Sequence, residues 1–116
     1  MIILGDSMIR EVSGISEVEK KAILNFLQGA VYCWCKNREE KWFSMRELMG
    51  GNNRDWNGTP LFVLYEKHIN EGKTSSESFE LAGRESGWLL KKVIKDDARN
   101  FKTKKKDIIR KYYWVK

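Results

Sequence analysis

The feature that most constrains this chain lies in residues 16–36. Ser16 is followed three positions later by Glu19, the spacing of a capping box, in which the two side chains satisfy orphan N–H groups at a helix start. Behind them Val18, Ala22, Ile23, Phe26, Leu27, Ala30, Val31 and Trp34 recur at steps of one, three and four, while Lys20, Lys21, Asn25 and Gln28 take the other face. That pattern predicts an amphipathic helix over residues 17–36 with one continuous apolar stripe. Such a stripe must be buried against a core. A chain of 116 residues, 41% of them apolar, can fill one core and not two. A single domain over residues 1–116 is expected.

The rest of the chain reads as further short helices and then a change of character. Trp42 and Phe43 suit a short extended segment. Ser44 and Glu47 repeat the capping-box spacing and open a short helix that Gly50-Gly51 closes. Residues 52–58 are a loop by composition, with Asn57-Gly58 as the strongest turn signal. Thr59-Pro60 supplies an N-cap and a proline at the first helical position, ahead of Leu61, Leu64, Tyr65, His68 and Ile69. Thr74 and Glu77 form a third capping box, and Phe79, Ala82, Trp88, Leu89 and Val93 carry helical structure toward Asp97, with a break expected near Gly87. Gly83, Gly87 and Val93 also fit helix-turn-helix spacing, although Ser86 and Asp96 stand where core side chains belong; two core helices joined at a glycine are the alternative. Residues 108–115 are β-branched and aromatic, the composition of a strand, with Phe101-Lys102 as a hairpin partner across a turn at residues 104–106. The expected fold is an α-rich α+β domain: a long N-terminal amphipathic helix, several further helices and a basic C-terminal strand or hairpin.

Charge separates the tail from the rest. From Lys91 onward eleven Lys/Arg face three Asp, a balance of +8, whereas the first ninety residues balance to −2. No apolar run approaches the ~20 residues of a membrane-spanning helix, and no membrane partner is expected. The opening Met1-Ile2-Ile3-Leu4-Gly5-Asp6 is not a secretory signal, and two cysteines one residue apart frame no disulfide scaffold. A cytoplasmic protein with reduced thiols is the simplest expectation.

Catalytic and metal chemistry find little support. On a helix Cys33 and Cys35 point about 200° apart and cannot share an ion, so packing near a helix end explains them. His68 must serve any nucleophilic arrangement alone, and a structural or surface role suits it. Glu39-Glu40 and Asp96-Asp97 sit beside basic residues, as solvated helix termini do. Phosphate-loop spacing is absent around Gly50-Gly51 and Gly83–Gly87. Trp56, in a polar loop with Arg54 and Asp55, suits either a binding surface or a lid folded onto the core. No cofactor, metal or catalytic residue is expected, and an enzymatic pocket near His68 and Asp55 is the least favoured alternative.

The run Ala30-Val31-Tyr32-Cys33-Trp34-Cys35-Lys36-Asn37 through Trp42-Phe43, followed by Gly50-Gly51-Asn52 and Asp55-Trp56-Asn57-Gly58-Thr59-Pro60-Leu61, resembles a group of small bacterial proteins carried in mobile gene cassettes of the integron kind. The resemblance spans residues 22–116. It implies a bacterial cytoplasmic protein acquired as a single-gene module, and it carries over no activity and no site residue.

The tail is therefore the leading functional element. Lys104, Lys105, Lys106, Arg110 and Lys111 are expected to neutralise phosphates, with Tyr112, Tyr113 or Trp114 as a stacking face. Nucleic acid is the expected partner. The alternative is a protein-interaction or self-associating module, with Trp56 or the tail aromatics buried between copies. Five Trp in so short a chain point toward a homo-oligomer, most simply a two-fold dimer.

Overall fold

The computed structural model describes residues 9–37, 42–51, 55–106 and 109–115. Among the described residues four helices, α1 (Glu17–Asn37), α2 (Met45–Leu48), α3 (Phe62–Asn70) and α4 (Ser75–Asp96), precede an antiparallel hairpin of β1 (Asn100–Lys106) and β2 (Ile109–Val115). The α+β architecture and the long first helix are as the sequence predicts. Among the described residues no helix is long and apolar enough to cross a membrane.

All three capping boxes form. Glu19 N–H donates to Ser16 Oγ at 3.0 Å and Ser16 N–H to Glu19 Oε1 at 2.8 Å, and the Ser44/Glu47 and Thr74/Glu77 pairs repeat the exchange. Gly51, at φ 94°, ends α2 by donating to Arg46 O at 2.9 Å, a left-handed conformation that glycine adopts without penalty.

The apolar face of α1 is rotated from its expected setting. Ile23, Leu27, Val31 and Cys35 are buried, whereas Val18 is 80% exposed and Ala22 lies open. Covering on the other side explains the rotation. Lys20 pairs with Glu11 at 2.7 Å, beside the buried Val12, and half-buried Gln28 donates to Asp97 at 2.8 Å.

α3 starts later than Thr59-Pro60 implies. Thr59 Oγ1 accepts from Leu61 N–H and Thr59 O from Phe62 N–H, so residues 59–61 form a lead-in turn whose threonine caps that turn instead of the helix. α4 is unbroken for 22 residues, straight through Gly83 and Gly87. Neither a helix-turn-helix nor two helices joined at a glycine is realised. Its inner stripe of Ser78, Ala82, Glu85, Ser86, Leu89, Leu90, Val93 and Ile94 is buried along its length, packed on α1 and α3, and that packing outweighs two weak helix formers. Ser86 meets its own polar demand by donating to Gly83 O at 2.7 Å.

Phe43 is fully buried at the junction of helices and hairpin. Its ring lies 5.7 Å from Trp34, 5.9 Å from Tyr112 and 6.3 Å, edge-on, from Phe101. Its backbone exchanges both hydrogen bonds with Tyr112, at 2.9 and 2.8 Å. β2 thus has a neighbour on each edge.

Candidate functional site

In an antiparallel pair directly opposed residues share a face, and successive residues alternate between faces. The register pairs Phe101 with Trp114, Thr103 with Tyr112 and Lys105 with Arg110; the intervening pairs are Lys102 with Tyr113 and Lys104 with Lys111. Buried Phe101 and Tyr112 identify the first set as the inner face. The basic and aromatic residues singled out from the sequence are therefore not one surface. Lys104, Lys111 and Tyr113 are on the outer face, and Lys105, Arg110 and Trp114 on the inner. Lys104, Lys105 and Lys106 belong to β1 and not to a turn, because pairing continues to Lys106 opposite Ile109. The Lys106 side chain and residues 107–108 lie outside the described residues.

On the outer face Tyr113 packs against Trp42, ring centroids 5.3 Å apart, and Lys104 Nζ stands 4.1 Å over the Trp42 ring. Lys102 and Lys104 are exposed, and Lys111 lies 3.5 Å from Glu47 at the start of α2. Trp42 enters because the Phe43–Tyr112 bridge sets residue 42 beside Tyr113. That contact is non-local, and no pattern within residues 100–115 signals it.

The inner face changes along its length. At the base Trp114 is half-buried under Arg99, whose guanidinium lies 5.3 Å from its ring. Burial pushes the Tyr112 phenol well above its usual range, only partly opposed by Arg110. Farther out, Arg110 donates to Thr103 Oγ1 at 2.9 Å, and Lys105 is exposed. The Lys91 ammonium on α4 is held below the usual lysine range, first by burial and then by Arg110, Lys105 and Arg10. Arg10 itself lies 5.5 Å over the Trp88 ring. Lys91 is thus influenced by cations of the hairpin and of the N-terminal segment.

A second polar cluster escaped the sequence reading. His68 Nε2 lies 2.8 Å from Glu85 Oε1, Lys67 Nζ lies 2.6 Å from Glu85 Oε2, and Lys67 also donates to Ser13 O. Glu85 and His68 are each 8% exposed. A signal for it did exist: Glu85 falls within the apolar stripe of α4, where an acid requires a cation. His68 is committed to this pairing, while Asp55 is exposed and accepts from Asn57 N–H at 3.1 Å. Cys35 is buried and Cys33 exposed on opposite sides of α1, and burial pushes the Cys35 thiol up. Trp56 is part of the core at 9% exposure, not a binding surface. Arg54 lies outside the described residues.

Comparison with protein-family models, with curated proteins and with solved structures found no match to this chain.

Proposed function

We propose that this is a small, basic, non-enzymatic protein that binds nucleic acid through its C-terminal hairpin. One observation carries the reading. Two successive cross-strand pairs, Lys104 with Lys111 and Lys105 with Arg110, oppose cation to cation. Like charges directly opposite each other weaken strand pairing by a few tenths of a kcal/mol to about 1 kcal/mol. A polyanion converts that repulsion into attraction, since each neutralised phosphate releases condensed counterions. Trp42 and Tyr113 beside Lys102, Lys104 and Lys111 add the aromatic component that nucleic-acid surfaces use. Tyr113 shares the outer face with these cations, whereas Trp114 lies on the inner face.

The test is fluorescence anisotropy with labelled duplex and single-stranded oligonucleotides across a salt series. Four or five phosphate contacts on duplex predict a log–log slope of about −4, and changing Lys104, Lys105 and Lys106 together to Gln reduces it by up to about 3. Absence of salt-sensitive binding to either form at low ionic strength ends this reading.

Self-association is the second reading, on a different observation. Val18 and Tyr32, 80% and 53% exposed, fall on one side of α1, about 40° apart around the helix. None of the five tryptophans is exposed within a single chain, so their number alone does not call for a partner. Sedimentation velocity at tens of micromolar decides it, and a monomer alone removes it.

A further inference from the structure

The proposed nucleic-acid reading leaves open which form of nucleic acid the hairpin takes, and the placement of the aromatic rings on its outer face bears on that. The Phe43–Tyr112 bridge sets residue 42 beside Tyr113, and the hairpin register sets Lys102 across from Tyr113 on its other side. Trp42, Tyr113 and Lys102 thus form one row over neighbouring chain segments about 4.8 Å apart, with Lys111 and Lys104 in the next row. The two rings, each half-buried, lie 5.3 Å apart between centroids and are tilted by 46°. Lys102 and Lys104 are exposed, and Lys111 lies 3.5 Å from Glu47, whose carboxylate also serves the α2 cap.

The Lys104 side chain shows which part of Trp42 can be reached. It starts on β1, crosses β2 and brings its ammonium to 4.1 Å from the centroid of the Trp42 ring. A cation so close to the centroid meets the face of a ring and not its edge. The Trp42 face is therefore accessible to a group arriving from the outer side. A nucleobase has a flat π-face of its own, and its stacking on such a ring is stronger than an exposed cation–π contact. In a duplex the base faces are stacked on one another, so a protein meets base edges and backbone. A single strand offers its base faces together with its phosphates.

We infer that the outer face of the hairpin is a stacking platform for single-stranded nucleic acid, with Trp42 and Tyr113 each taking a base while Lys102 and Lys104 take phosphates. This rests on the nucleic-acid reading and goes beyond it in naming the single strand and in seating bases on the ring faces. An incoming base displaces the Lys104 ammonium from the Trp42 ring. The flexible lysine stem lets that charge move to a phosphate with no change in the sheet. Stacking uses a π-face that every base has, so the platform tolerates any sequence.

The experiment measures binding of the full chain to a labelled mixed-sequence strand of about 15 nucleotides, made as DNA and as RNA, and to the DNA duplex of the same sequence at matched salt. The better strand is expected to bind about tenfold more tightly than the duplex, and which strand it is identifies the sugar. Tyr113→Leu is expected to weaken strand binding about tenfold, the lower range for one stacked base, whereas Tyr113→Phe keeps it. Strand binding quenches tryptophan emission, and Trp42→Phe, which keeps a ring, still binds but loses most of that quench. Lys102→Gln with Lys104→Gln lowers the salt slope by about 1.4, from roughly 0.7 per contact, and Lys21→Gln on the exposed side of α1 leaves it unchanged. A thermal melt of each variant confirms folding. If the duplex binds as tightly as the better strand, or folded Tyr113→Leu binds the strand like the wild type, the platform inference fails while nucleic-acid binding stands. A full quench in Trp42→Phe overturns it likewise, which decides the matter should Tyr113→Leu unfold. If no nucleic acid binds, both readings fall.

Discussion

Glu85 sits where the helical pattern of α4 calls for an apolar side chain, and it is stable there only because Lys67 and His68 reach it from α3. Each charge in such a group has lost its water, so removing one partner leaves an uncompensated charge in a low-dielectric site. Glu85→Ala is therefore expected to cost about 3 kcal/mol, read as a fall of roughly 10 °C in Tm for a chain of this size. Glu71, 59% exposed and 3.3 Å from His68 Nδ1, is the control. Its removal should cost under about 1 kcal/mol, as surface pairs do. Urea denaturation of both variants checks the contrast, and equal losses would mean that burial of the Glu85 cluster contributes nothing special.

At the scale of elements, α4 decides between two readings of the same residues. Gly83 and Gly87 suggested a turn, yet both stand in a continuous helix, and a Cβ built at either meets nothing within 4 Å. An alanine there restricts the unfolded chain and leaves the folded helix unstrained. Gly83→Ala and Gly87→Ala should each stabilise by roughly 0.5–1 kcal/mol, visible as a small rise in Tm. A fall at either position would indicate that the chain turns there. For the hairpin, strand composition and alternation were legible from residues 101–115, and alternation already implies that Lys104 and Lys105 face opposite ways. Which face is inner was not legible, because Phe43, some 60 positions upstream of its neighbours there, decides it.

The whole molecule is tied together at the end of α4. The Asp97 carboxylate accepts from Gln28 of α1 at 2.8 Å and from Arg99 N, Nε and Nη2 at 2.8, 3.0 and 2.8 Å. The Arg99 guanidinium in turn lies 5.5, 5.6 and 5.3 Å from the rings of Tyr32, Phe101 and Trp114, joining α1 to both strands. Burial opposes ionisation of Asp97, but the hydrogen bonds from Arg99 and Gln28 outweigh it and hold the group at about 2, against 3.8 for a free aspartate. A depressed folded-state value means that this contribution is complete above about pH 4 and is lost as the pH falls toward 2. Its size is on the order of 1 kcal/mol once solvent screening is allowed for. Urea melts between pH 2 and 6 should show Asp97→Asn losing less stability than the wild type across that window. Identical pH dependence would remove Asp97 as a staple between helices and hairpin.

The sequence by itself determined the α+β class, the three capped helix starts, the strand character of the tail and the concentration of positive charge within it. These are local properties, because caps, periodicity and β-branched composition act through a residue's own dihedrals and its neighbours within one turn or one strand pair. Only the tertiary structure decided which side of α1 is buried, that α4 does not break, that Trp42 stands beside Tyr113, and that Lys67, His68 and Glu85 meet. It also divided the tail's cations between two faces. Each of these depends on which surface is covered by a segment distant in the chain, and coverage by distant segments is a property of the packed core as a whole.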